Sequence, residues 1–200
     1  VLSRALKTDE GKLRLISIND SGGSFGIKQA IMPMIILTSL ASKITHKNIV
    51  WIEDRMEHLT ASSSATGRLT KIKASVSNDG LINAIDYDQV DDVGAYLRAP
   101  EPASLYRMHG NLSGPYIVKN ISCRNRVVVT NKTPSGLNRG FGGPQHYFAL
   151  ERLIKKIADE LKLDHLDVIT KNILNSDQFP YKSPAGAILD SGNYKKLIEK

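Results

Sequence analysis

The sequence predicts a fold that mixes strands with helices, and three observations carry that prediction. Ile72, Ala74 and Val76 alternate with Lys71, Lys73 and Ser75 before Asn78-Asp79-Gly80, the pattern of a hairpin with one buried face. Tyr147, Leu150, Ile154, Ile157 and Leu161 recur at helical spacing, with Lys155, Lys156 and Asp159 on the other face. Twice, a strand-like run meets a glycine-rich loop that leads into a helical pattern. One such loop is Ser21-Gly22-Gly23-Ser24-Phe25-Gly26-Ile27-Lys28-Gln29, and the other is Asn138-Arg139-Gly140-Phe141-Gly142-Gly143-Pro144-Gln145.

Taken in order, residues 1–7 read as a helix tail and Asp9-Glu10-Gly11 as a turn. Residues 13–18 alternate with one slip of phase at Leu15-Ile16, which predicts a largely buried strand with a bulge. Residues 27–43 are apolar on nearly all sides and predict a helix buried on most faces, with Pro33 near enough to its start to be tolerated or to kink it. Residues 48–52 predict a short buried strand, and the charge-dense stretch 53–58 a salt-linked, partly solvated loop. A polar loop covers 62–67, and the hairpin follows. Its return strand carries Leu81, Ile85 and Tyr87 on one face, and Asp86, Asp88, Asp91 and Asp92 could hold a hard cation but, without calcium-loop spacing, read better as a solvated edge. Residues 94–120 are irregular, with Pro100, Pro102 and Pro115, and use Tyr96, Tyr106 and Tyr116 as packing anchors. Pro144 marks a helix start, and Asp164 is the N-cap of a second helix with Leu166, Ile169 and Ile173 inward. Both ends read as a piece cut from a longer chain, so 1–200 is expected to be a single module truncated at each end.

The net charge of +7 is unevenly placed, and residues 101–150, which hold the second loop, are the most basic quarter. A basic patch fits phosphate-bearing cofactors, nucleic acid or an acidic partner. Nucleic acid is disfavoured because no Lys/Arg run or aromatic-rich strand motif accompanies the charge. Cys123 is the only cysteine, so no internal disulfide forms and a reducing, cytoplasmic compartment is expected. The five histidines show no metal-ligand spacing, and the most apolar run is too short to span a bilayer.

Glycine permits backbone angles closed to other residues, and a helix N-terminus presents unsatisfied N–H groups to an anion. On spacing alone each loop is equally a tight turn with an aromatic plug or one wall of a cleft. If both strands end on the same side, the two loops oppose each other across that cleft. Arg139 then favours an anionic cofactor, and Phe25 and Phe141 a flat partner. No nucleophile–base arrangement can be argued from spacing.

These residues resemble the molybdenum hydroxylases, the family of xanthine dehydrogenase, aldehyde oxidase and the large subunit of aerobic carbon monoxide dehydrogenase. Gly22 to Gln29 is similar to that family's GGGFGxK segment, and Asn138 to Gln145 to its RGFGGPQ segment. Trp51 to Leu59 and the pair Gln178-Phe179-Pro180-Tyr181 and Asp190-Ser191-Gly192-Asn193-Tyr194 add two further matches in the same order. The resemblance implies an α+β domain, with a mixed or antiparallel sheet and packed helices, that binds molybdenum–molybdopterin, in the pterin or cytosine dinucleotide form. It implies Gly23, Ser24, Phe25, Gly26, Arg139 and Gly140 as cofactor-binding residues, and Gln29, Arg107 and Phe141 as substrate-binding residues.

The implied chemistry is hydroxylation of an aldehyde or N-heterocyclic carbon with water as the oxygen source. Electrons would leave through 2Fe-2S and FAD groups on partner subunits or domains, alongside the remainder of the large subunit. No catalytic residue or direct metal ligand is assigned within this chain, because the family's glutamate belongs to a segment beyond Lys200; the chain alone is expected to be inactive. Two departures matter. Gln29 stands where purine enzymes place a glutamate, which counts against purine recognition. Gly140 stands where the carbon monoxide enzyme needs a copper-holding cysteine, which counts against that activity. A non-catalytic subunit-interaction module or degenerate relative is the alternative.

Overall fold

The hairpin is the centre of the fold. In the computed structural model, which describes residues 1–65, 67–98 and 107–200, β1 (Gly67–Val76) runs antiparallel to β2 (Ile82–Asp92). β3 (Asn120–Val128) adds to β2 in parallel, so the order is β1-β2-β3 and the sheet is mixed. Before the sheet come α1 (Leu2–Leu6), a 3-10 turn (Ile27–Ile31) that passes into α2 (Met32–Thr45), and α3 (Arg55–Ala61). After it come α4 (Gly143–Leu161), α5 (His165–Asn172), the two-residue strands β4 (Tyr181–Lys182) and β5 (Ile188–Leu189), and α6 (Tyr194–Ile198). The protein is therefore α+β, as the resemblance implies.

One face of the sheet packs against α4 and α5. Ile82, Ile85 and Tyr87 of β2 meet Leu150, Leu153, Ile154 and Ile157 of α4 and Val168 of α5 in one buried cluster. Burial of this kind contributes roughly 1.5–3 kcal/mol for each large apolar side chain. The hairpin turn is fixed from a distance: buried Asn172 of α5 accepts from the Ile82 N–H (2.9 Å) and donates to the Gly80 carbonyl (2.9 Å). α4 begins with Pro144 in its first turn, and α5 is capped by Asp164, whose carboxylate accepts from the Leu166 and Asp167 N–H groups.

Several expectations fail, the first three of them for one shared reason. Residues 13–18 and 48–52 form no strand, and Leu15, Val50 and Ile52 are 90%, 82% and 84% exposed. α2 accommodates Pro33 in its first turn, but no residue of it is fully buried. Apolar content creates a demand for burial without supplying a neighbour, and among the described residues nothing covers these segments. The acidic strand is no solvated edge either: β2 is the middle strand, and Asp91 is fully buried against Arg68. A register shift at Ser75/Val76 turns Ile82 inward and leaves Leu81 exposed, and in α5 Val168 and Asn172 point inward in place of Leu166. Tyr116 is buried and bonded to Glu151, as an anchor should be, while Tyr96 is exposed. Pro100, Pro102, Tyr106 and Thr66 lie outside the described residues.

Candidate functional site

Each glycine loop makes the same backbone turn. Phe25 has φ +53° and is followed by Gly26 at +103°; Phe141 has φ +50° and is followed by Gly142 at +82°, with Gly140 at +104° before it. A bulky aromatic in the left-handed region is uncommon and costs on the order of 1–3 kcal/mol, so its neighbours must hold it there. In the first loop the Ser24 hydroxyl accepts from the Gly26 N–H and the Ser24 carbonyl from the Ile27 N–H. In the second, the Phe141 N–H donates to the Asn138 carbonyl and the Gly143 N–H to the Gly140 carbonyl (2.8 Å), which closes the turn onto α4.

The two loops touch. The Arg139 N–H donates to the Phe25 carbonyl at 2.7 Å, and a Cβ on Gly26 would lie 3.0 Å from the Leu137 carbonyl oxygen. Glycine at 26 is thus required both by its φ and by the close approach of the other loop. A Cβ on Gly140 would meet Pro144 Cδ at 2.6 Å, so this residue too is confined to glycine by space as well as by φ.

A third segment, which sequence reasoning reads only as a polar loop, is wedged between them. Ser63 Oγ donates to the Ile27 carbonyl (2.8 Å), and the Gly136 N–H donates to the Ser64 carbonyl (2.8 Å). A side chain on Gly136 would overlap Ser63. Serine-rich composition gives no hint of this role, because the contacts join residues far apart in sequence.

Of the substrate-facing candidates, Arg107 and Phe141 come together: the guanidinium carbon lies 4.8 Å from the ring centroid, a cation–π contact. Gln29 is exposed on the 3-10 turn after the first loop. Gly23 is exposed, and a Cβ there would meet nothing within 4 Å, while Arg139 is exposed at the rim of a cleft of about 140 Å³. Ala65, Gly136, Asn138, Gly142, Pro144 and Gln145 line that cleft with it. It lies at the N-terminus of the 19-residue α4, the positive end of the helix dipole. A groove of about 860 Å³ between β1 and α4 shares Pro144 and Gln145 with the cleft.

Lys28, the residue that follows the first loop's turn, is salt-linked to Glu53, and Nδ1 of His58 lies 3.0 Å from the same carboxylate oxygen. The Lys28 ammonium holds the Glu53 carboxyl below its ordinary value. The charge-dense stretch is thus salt-linked as expected, but it also starts α3 through a capping box between Asp54 and Glu57. Behind the second loop, His146 is fully buried, and burial lowers its pKa to about 4, so the ring is neutral at physiological pH. Among the described residues no group of three His, Cys, Asp or Glu side chains is placed to hold a metal ion, and no helix is long and apolar enough to cross a membrane.

Residues 1–173 match the family described as the molybdopterin cofactor-binding domain, and the chain belongs to that family. It is similar to the carbon monoxide dehydrogenase large chain of Hydrogenophaga pseudoflava, at 29% identity over 206 residues, covering 100% of this chain and 25% of that protein. It is also similar to the nicotine 6-hydroxylase large subunit of Paenarthrobacter nicotinovorans, at 30% identity, covering 99% of this chain and 24% of that protein. Among solved structures, quinoline 2-oxidoreductase from Pseudomonas putida 86 superimposes with a TM-score of 0.84 at 30% identity, over 90% of this chain and 23% of that one. The chain spans about a quarter of the length of the curated relatives it matches.

Proposed function

We propose that this molybdopterin cofactor-binding domain is part of the large subunit of a molybdenum hydroxylase that acts on an aldehyde or an N-heterocyclic carbon. The observation that carries the reading is the direct bond between the two strained Phe–Gly turns, from the Arg139 N–H to the Phe25 carbonyl. Strain of this kind persists where surrounding structure holds a ligand-facing backbone in place. The residues fit such a cofactor. Gly23, Ser24, Phe25 and Gly26 offer a closely approachable glycine-rich backbone on one wall, and Arg139 and Gly140 offer a cation and a second glycine turn on the other. The helix dipole of α4 and Arg139 together suit an anionic group such as a phosphate.

When bound, the molybdenum centre would supply the oxygen transfer from water and accept the two electrons. The chain's own residues would bind and orient. Phe141, braced by Arg107, would present an aromatic face to a planar substrate, with Gln29 at the mouth of the first loop. A proton-abstracting glutamate, the 2Fe-2S and FAD groups and the remaining walls would come from other segments or subunits, in the cytoplasm. The apolar residues exposed at 13–61 support a place against the rest of a longer large subunit. Gly140, where a cysteine would be needed to hold copper, supports a substrate other than carbon monoxide.

The test is elemental and pterin analysis of the complete protein purified with its co-purifying subunits. Near-stoichiometric molybdenum with a pterin is the expected result, and a metal-free, pterin-free preparation overturns the reading.

A further inference from the structure

Along β2 the core-facing side chains change character within four residues. Ile85 and Tyr87 are apolar or mostly so; Gln89 and Asp91 continue the same face, and both are fully buried. Their cross-strand neighbours are polar as well: Asp91 stands opposite Arg68, and Gln89 stands between Thr70 of β1 and Asn125 of β3. The first turns of α4 and the segment around His109 lie over this patch. His146 stacks against Tyr87 with ring centroids 5.4 Å apart, and the Tyr87 hydroxyl donates to the carbonyl of Leu112, the residue before Ser113. The Leu112 carbonyl also faces the His146 ring and works against the lowering of its pKa by burial, and His109 and His146 both feel the charge of Arg68.

The charges in this patch cancel. Arg68 donates to Asp91 through Nε (2.7 Å) and a terminal nitrogen (2.9 Å), and Asn125 Nδ2 donates to the same carboxylate (2.8 Å). What is left over is neutral hydrogen-bonding capacity. Both amide atoms of Gln89 and the Ser113 hydroxyl have no hydrogen-bond partner among the described residues, the His146 ring has at most the Leu112 carbonyl, and all three residues are fully buried. Native proteins leave few such groups unmet, and buried polar atoms without protein partners are met by internal water.

We infer that the core face behind the second loop holds a buried hydration site, in which ordered water is bound by Gln89, Ser113 and His146 beside the Arg68–Asp91 pair. The ligand class follows from the lining. Asp91 is already matched by Arg68 and Asn125, so neither a cation nor an anion finds uncompensated charge. An amide, a hydroxyl and a neutral imidazole each offer both a donor and an acceptor, which is what water requires. The water joins β2 to the first turn of α4, and the Gly140–Gly143 turn of the site in front is built on that helix. Its role there is positioning, since it reaches neither cofactor nor substrate.

The experiment is a crystal structure of the complete protein at a resolution that shows ordered solvent. At least one water within hydrogen-bond distance of the Gln89 amide and of Ser113 or His146 is expected; direct protein partners for the Gln89 amide, with no water on it, overturn the inference. Gln89→Leu keeps the volume and removes the amide, and its structure should lose that density. Density unchanged in the variant also overturns the proposal, and if the variant does not fold, the parent structure decides alone. The outcome is independent of cofactor content: the water is expected whether or not molybdenum is found.

Discussion

Residues 1–61 and residues 67–200 contain the same kinds of apolar side chain and bury them to very different extents. Leu15, Leu37, Ile44, Val50 and Ile52 point outward in the first region, whereas Ile82, Ile85, Leu150, Ile154 and Leu174 are enclosed in the second. The core cluster of the described residues draws no member from the first region. That region is held by polar bonds: Lys43 Nζ to the Leu6 carbonyl, Lys28 and His58 to Glu53, and Ser63 to the Ile27 carbonyl. Hydrophobicity along a sequence thus measures a demand for burial, and topology decides whether it is met. The first glycine loop belongs to the polar-stapled region and the second to the packed one, so the candidate site lies where the two meet.

Substitutions test this contrast from both sides. The largest effect belongs to the packed region: Asp91→Leu removes the carboxylate that Arg68 bonds in the core and should cost about 3–5 kcal/mol by chemical denaturation. An unchanged midpoint would mean that the pair is wetter than its burial implies. Next is acid sensitivity. The folded pKa of His146, about 4, lies below its ordinary value of 6.5, so the unfolded chain binds the extra proton first. The stability from keeping this ring neutral is fully present above about pH 6.5 and is lost as pH falls toward about 4, a change on the order of 3 kcal/mol. His146→Phe should remove that part of the pH slope in denaturation series run between pH 7 and pH 4.

The two loops should then separate. Gly140→Ala forces a Cβ against Pro144 at φ +104° and should cost about 1–3 kcal/mol, with loss of bound pterin from the complete protein. Gly23→Ala meets nothing within 4 Å and should leave the melting temperature unchanged, so any loss of pterin there reports the ligand and not the fold. The smallest effect is expected outside the core. Val50→Ser with Ile52→Ser should change the stability of the chain by no more than about 0.5 kcal/mol, because both side chains are already in water. A large loss confined to the complete protein would show that this surface is covered there.

Much of the candidate site is legible in the residues. Gly140-Phe141-Gly142-Gly143-Pro144 reads as a loop feeding a helix, and it is one. Its partner at Ser24-Phe25-Gly26 reads as the same device, and the shared Phe–Gly turn confirms the likeness in backbone angles. What could not be read is the wedge at Ser63 and Ser64, the Lys28–Glu53–His58 cluster as an anchor for the first loop, and the buried polar patch behind the second. Each depends on chain segments that sequence order separates.

Residue order was enough to specify the local devices: the turn at Asn78-Asp79-Gly80, the Asp164 cap, the Pro144 helix start and the two glycine loops. Each rests on dihedral preference or on a hydrogen bond within a few residues, so neighbours along the chain suffice. Long-range packing, in contrast, made β2 the middle strand, buried Asp91 with Arg68 and laid Arg107 over Phe141. Asn172 shows why: its bond to Ile82 spans 90 residues, and no local pattern encodes which distant backbone a side chain will meet.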